Sequence, residues 1–191
     1  MTRLLPRSFR LSEDVLEGLD DEANLQKISA NALVNKILSD YVEFERLAER
    51  FGVVRVSRAT IREVVDAVAE DSLVKAGLNA GRSLPLSIIS AKYGKIGADS
   101  VTRFMREYFT YTNLVHYGEK RQNGILVITL AHGLGSKVSS FLEAYVQPVL
   151  RLASLRVKHS LKTPEALVMS LQYDSQAASE SDLHSPVEIQ S

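Results

Sequence analysis

The segment Arg7-Ser8-Phe9-Arg10-Leu11 alternates polar and apolar residues, the pattern of a short β-strand. The residues that follow it read as helix up to about Gly52, so no second strand lies nearby in sequence. An unpaired strand exposes a row of backbone donors and acceptors. A strand and two helices within some 45 residues also make too little for a helix-only core or a βαβ unit. The economical solution is a second copy of the same chain, its strand pairing antiparallel across a two-fold axis.

The two helices have clear boundaries. Ser12 starts the first, with Glu13 and Asp14 in the first turn suiting the N-terminal end of the helix dipole. Val15, Leu16, Leu19 and Ala23 then recur at helical spacing. Ile28-Ser29 breaks the run, and Ser29 is a good N-cap for a second helix. In that helix Leu33, Val34, Ile37, Leu38, Tyr41 and Val42 form an apolar stripe of three-four spacing, running to about Arg50 and stopping near Gly52.

In this order and spacing, Phe9-Arg10-Leu11-Ser12-Glu13-Asp14-Val15-Leu16-Glu17-Gly18-Leu19 is similar to the opening of ribbon-helix-helix proteins of the CopG/Arc/MetJ type. Ile28-Ser29-Ala30-Asn31-Ala32-Leu33-Val34-Asn35-Lys36-Ile37-Leu38-Ser39-Asp40-Tyr41 resembles their second helix and its capping turn. The resemblance covers about a quarter of the chain. One departure stands out. The family usually has Gly just before the position of Ile28, to close the first helix in a left-handed conformation, and this chain has Lys27. A slightly different inter-helix turn is therefore expected.

The resemblance implies a dimer whose paired strands enter the DNA major groove. Phe9 and Leu11 then point to the core, and Pro6, Ser8 and Arg10 to the bases. Arg10 can bond guanine O6 and N7 in bidentate fashion, Ser8 can donate or accept, and Pro6 has no polar side-chain atom to offer. Ser29-Ala30-Asn31 presents backbone N–H groups to a phosphate, a contact that positions without reading sequence. Arg3, in the same basic arm, completes the expected DNA-binding set. The implied function is a sequence-specific transcriptional regulator acting as a homodimer on double-stranded DNA. The alternatives are an antitoxin-like or other protein-interaction module with the same dimeric fold, or an enzyme of unrecognised class. A plain solvated arginine is the competing role for Arg10, and Ser29 is an N-cap in either case.

Charge balance says nothing in bulk, with 23 basic against 23 acidic side chains. Its distribution says more. Residues 1–12 hold Arg3, Arg7 and Arg10 and no acid, whereas residues 13–50 hold ten acids against four bases. A basic arm ahead of an acidic body can still bind DNA, because the local field at the phosphates decides the contact. Cysteine is absent, which removes disulfides and thiolate metal sites. No apolar run approaches the roughly 20 residues that span a bilayer, and the N-terminus lacks a signal-peptide h-region. A cytoplasmic protein without membrane partners is expected.

From Val53 onward the pattern predicts an α+β domain with a small antiparallel sheet, ending near residue 174. Val53–Val56 reads as a strand, Ala59–Ala76 as an amphipathic helix, Leu86–Tyr93 as a short helix and Ala98–Tyr108 as another. Asn113–Tyr117 and Ile125–Leu130 read as strands joined through Gln122-Asn123-Gly124, a hairpin signal. Ser136–Leu152 is a helix that Pro148 kinks or ends, and Ala166–Gln172 a last strand. Residues 175–191, polar and without apolar period, read as a disordered tail.

Four features of this second part invite chemistry. His132-Gly133-Leu134-Gly135-Ser136-Lys137 sits at a strand-to-helix junction but fits no phosphate-loop pattern, so it reads first as a plain turn. His116, His132 and His159 lack metal-ligand spacing, and no metal or cofactor is expected. Phe104, Tyr108, Phe109, Tyr111 and Tyr117 are either core or the wall of a small-molecule effector pocket. Arg151, Arg156, Lys158 and Lys162 form an acid-free basic stretch, either solvated or phosphate-contacting. No catalytic set is recognisable.

Overall fold

The computed structural model describes residues 5–122 and 125–173; Arg3, the Asn123-Gly124 turn and the tail from residue 175 lie outside the described residues. The chain divides into two compact units, residues 1–46 and 47–191. The division falls inside a helical stretch rather than at Gly52. Among the described residues no helix is long and apolar enough to cross a membrane. The chain combines helices with a four-stranded antiparallel sheet and is α+β.

In the first unit, Arg7–Leu11 makes no ladder with any described residue, and all five side chains are exposed. Helix α1 (Glu13–Gln26) follows the extended Ser12. Helix α2 (Ala30–Asp40) follows Ser29, whose Oγ accepts from the Ala32 amide at 3.2 Å. Where one continuous α-helix was expected, Tyr41–Glu45 winds as a π-helical turn before α3 (Arg46–Arg50). Leu33 is buried and Val34 half-buried, but Ile37, Leu38, Tyr41 and Val42 are exposed.

The second unit is built around helix α7 (Ser136–Arg151). Val138, Leu142, Tyr145, Val146, Val149 and Leu150 are all buried. One side of α7 faces α5 (Glu70–Tyr93); another faces strands β3 (Leu155–Lys162) and β4 (Ala166–Tyr173). With β1 (His116–Gln122) and β2 (Ile125–Ala131) these strands form a sheet of order β1-β2-β4-β3, antiparallel throughout. Ile128, Leu130, Leu167, Met169 and Leu171 alternate onto the helix side and are fully buried. Helix α6 (Ala98–Thr112) covers β1 on that same side, where Phe109 stacks on Tyr117 at 6.4 Å.

Several sequence expectations need correction. Val53–Val56 is not a strand: it enters none of the ladders, and Val54 and Val56 are exposed, so β-branched content alone found no neighbour to pair with. The helix expected over Ala59–Ala76 breaks at Val68-Ala69 into α4 (Arg58–Ala67) and α5. The break lies under Lys137 Nζ, which donates to the carbonyls of Val65 (3.3 Å), Asp66 (3.0 Å) and Val68 (2.8 Å). The short helix at Leu86 is the second half of α5, which carries Pro85 inside it. The carbonyl that Pro85 leaves unbonded belongs to Gly81, which has no side chain to crowd the ring. Strand β1 begins at His116, not Asn113, because Asn113 closes α6 in the left-handed region at φ 49°. Pro148 sits within α7 without ending it.

Contact between α5 and α7 depends on Gly77 and Gly81, both buried. A Cβ on Gly77 would lie 2.6 Å from the Phe141 carbonyl oxygen, and one on Gly81 2.7 Å from Pro148 Cγ and closer still to the Tyr145 carbonyl. Backbone cannot yield there as a flexible side chain would. Gly81→Ala is therefore expected to destabilise the second unit by about 1–3 kcal/mol, a typical cost of overpacking a close contact. A drop in the urea midpoint at unchanged m-value checks it.

Candidate nucleic-acid interface

Of the residues expected to face DNA, Pro6, Ser8 and Arg10 lie in the extended, exposed segment ahead of α1, and Arg3 lies outside the described residues. Ser29, Ala30 and Asn31 form the head of α2. The Ser29 hydroxyl serves the Ala32 amide and its carbonyl the Leu33 amide at 3.0 Å. Among the described residues, no protein group accepts from the Ala30 and Asn31 amides, so this helix end keeps two donors aimed outward. At the other helix start, the Ser12 hydroxyl holds the Asp14 carboxyl below its ordinary value.

Lys27 answers the question raised by the missing glycine. It adopts the left-handed conformation itself, at φ 56° and ψ 40°. Its amide bonds the Asn24 carbonyl at 3.1 Å, and the Ile28 amide reaches back to the Ala23 carbonyl at 3.0 Å, the six-to-one closure of a Schellman turn. The turn keeps its geometry with a side chain where glycine would carry no Cβ strain.

The apolar stripes of the two helices stay largely open to solvent. Ala23, Leu33 and Phe44 are the buried apolar residues among the described residues of this unit. Phe9 (71% exposed), Val15, Leu16, Ile37, Leu38 and Val42 (53%) all remain accessible.

In the second unit, the features that invited chemistry are mostly structural. His132 is 3% exposed. The Leu134 amide donates to its Nδ1 at 3.1 Å, so the ring proton sits on Nε2 and is donated to Ser139 Oγ at 2.8 Å. The Ser139 hydroxyl in turn donates to the Thr163 carbonyl at 2.6 Å. This relay resembles a His–Ser pair of a hydrolase, but Ser139 is fully buried, and its hydroxyl ties α7 to the β3–β4 turn. Gly133 and Gly135, both at positive φ, let the chain pass under that turn, their amides donating to the Glu165 (3.0 Å) and Pro164 (2.9 Å) carbonyls. Arg58 donates to the His132 and Leu114 carbonyls, and Arg62 to that of Gly133. The glycine-rich stretch is thus a junction held by cations from α4, not a phosphate loop.

The aromatic residues pack on one another: Tyr108 stacks with Phe104 (5.4 Å) and with Tyr145 (6.0 Å), and Phe141 joins at Tyr145. Burial raises the Tyr108 and Tyr145 hydroxyls above their ordinary range. Among the described residues no group of three His, Asp or Glu is placed to hold a metal ion. Two open grooves have ligand-sized volume. One, of 470 Å³, lies between Gln147, Arg151, Arg156 and Val157; the other, of 560 Å³, lies where Lys92, Lys95 and Arg103 surround the start of α6.

The basic stretch is the feature sequence reasoning placed worst. Arg156, Lys158 and Lys162 follow no helical face because they lie on strand β3, interrupted by a bulge between Val157 and His159. Lys162 pairs with Glu143 of α7 at 3.1 Å. A strand alternation read across Leu155, Val157 and Leu161 was the available signal, blurred by that extra residue. No protein-family model matches the chain, and no curated protein does either.

Burial holds His132 neutral, lowering its pKa below the ordinary histidine value of 6.5, with Glu165 opposing and Arg58 assisting. Protonation at Nδ1 would also set a proton against the Leu134 amide. The unfolded state therefore binds more protons than the native one as pH falls through 6.5, and native stability must fall with it. Urea titrations from pH 8 to 5 should show a falling midpoint in wild type. His132→Asn should start lower and lose that part of the slope.

Proposed function

We propose that this chain is a sequence-specific DNA-binding regulator whose first unit acts as a ribbon-helix-helix homodimer. The observation that carries it is the unburied apolar stripe of α1 and α2, together with an extended segment that has no strand partner among the described residues of its own chain. Burying a side chain such as Leu16, Ile37 or Leu38 is worth roughly 1.5–3 kcal/mol. A unit this small forgoes most of its possible core unless a copy of itself covers that stripe. The same copy supplies antiparallel partners for Arg7–Leu11.

In that dimer the two strands form a ribbon, which fits the major groove. Pro6, Ser8 and Arg10 lie on its outer face. Arg10 recognises guanine through two parallel hydrogen bonds, Ser8 makes the adaptable contact, and Pro6 leaves its edge less discriminating. The outward-facing Ala30 and Asn31 amides clamp a phosphate at the head of α2, aided by Ser29 and by Arg3 of the basic arm. The second unit adjusts this binding, through a small-molecule effector or through assembly.

Selection of bound duplexes from a random pool tests this on the full chain. Wild type should enrich a two-fold symmetric site. Arg10→Ala should lose about 1–3 kcal/mol at that site and relax preference at one position of each half. Enrichment unaltered by Arg10→Ala would place another face toward the bases, and no enrichment at all would remove the DNA role.

A further inference from the structure

Within the second unit, no described element covers one face of the sheet. Strand register assigns the faces: with Met169 and Leu171 buried under α7, Val168 and Ser170 point away from the helices, as do their neighbours Val127 and Thr129 on β2. The same alternation puts Lys120 and His116 of edge strand β1, and Arg156 and His159 of edge strand β3, on this outer side. Lys158, the extra residue of the bulge, is exposed at the same edge. The outer face is thus a neutral strip, mostly of small and β-branched residues with Gln172 at one end, between two edges that carry bases, the β3 edge also exposing Leu161. At the usual strand spacing those edges stand roughly 14 Å apart.

Carboxylates are kept on the opposite side. Glu119 turns inward to Arg106 and Tyr117, and Glu143 of α7 receives Ser160 and Lys162. Among the described residues no Asp or Glu stands on the outer face of the sheet.

We infer that this outer face is a contact surface for the sugar–phosphate backbone of duplex DNA. The inference rests on the DNA-binding role proposed above. Charge decides the occupant: lysine, arginine and histidine at both edges complement a polyanion, and the net-neutral chain has drawn its acids elsewhere. A second copy laid face to face would bring two sets of basic edges together. A single strand would call for aromatic stacking platforms, and among the described residues this face carries no ring but imidazole. Backbone contacts of this kind carry no sequence information, so the surface adds affinity and salt dependence without changing which site is chosen.

The test uses full-length protein and duplex DNA in a salt series from about 50 to 200 mM. Wild type is compared with Lys120→Ala/Lys158→Ala, and with Lys75→Ala/Arg82→Ala as a control that removes the same charge from exposed positions outside the sheet. All three should unfold at the same temperature, since the four side chains are exposed. The slope of log K against log salt should become shallower by about 0.9 for each phosphate that the sheet variant no longer neutralises. Base preference should stay the same, and the control should keep the wild-type slope. A wild-type slope in the sheet variant overturns the inference and leaves the DNA role standing. A sheet variant that instead fails to form an assembly larger than a dimer, with its salt slope intact, assigns the face to a second copy and also overturns it. Wild type that binds no duplex defeats the DNA role itself.

Discussion

Unit one is organised by a deficit of burial. Two amphipathic helices of modest length meet at Ala23 and Leu33, yet the residues that give their stripes an apolar character stay in contact with water. Helix propensity in such short segments is marginal, and most helical stability comes from packing an apolar face. Backbone groups of Arg7–Leu11 pose the same requirement in another form, since they need hydrogen-bond partners once water is excluded. The two-fold dimer proposed above would answer both. In that proposal the DNA-facing residues follow from the assembly, with Phe9 and Leu11 turned inward and Ser8 and Arg10 left outside.

The second unit solves its burial within one chain. Helix α7 is buried or half-buried along nearly its whole length because it lies between α5 and the sheet, and the glycines of α5 let the two helix backbones approach. Several polar side chains inside have hydrogen-bond partners, while the Tyr145 hydroxyl has none among the described residues. His132, Ser139 and the Thr163 carbonyl form a closed relay, and Ser140 donates to Glu70 at 2.6 Å, binding α7 to the start of α5. Chemistry-bearing residues are thereby engaged in holding elements together, which is why His132 and the glycine-rich junction look more catalytic in sequence than in space.

How legible this was depended on the range of the cause. Ser29 as an N-cap, the α1–α2 boundary and the β2 and β4 strands follow from residues within a few positions of each other. Asn113 and Lys27 are also local, but their left-handed conformations at non-glycine residues carry little sequence signal. The break between α4 and α5 comes from Lys137, some seventy residues away, and no local breaker marks it. Strand β3 hid behind its bulge, which shifts the alternation after Val157 and turns an ordinary edge strand into a patternless basic run. The valines at 53–56 show the converse, strand-like composition without a ladder to join. For the candidate site, Ser29 and the outward amides of Ala30 and Asn31 were legible as helix-end chemistry. The outer face of the sheet was not, since it exists only once four strands are in register.

Sedimentation equilibrium at micromolar concentration tests the central claim most directly, comparing the wild-type chain with Ile37→Asp, which places a charge in the exposed stripe of α2. The account predicts a wild-type dimer or larger species and a shift toward monomer in Ile37→Asp, because burying an unpaired carboxylate in an apolar interface is strongly unfavourable. A wild-type chain that remains a folded monomer, or an assembly that Ile37→Asp leaves intact, would contradict it.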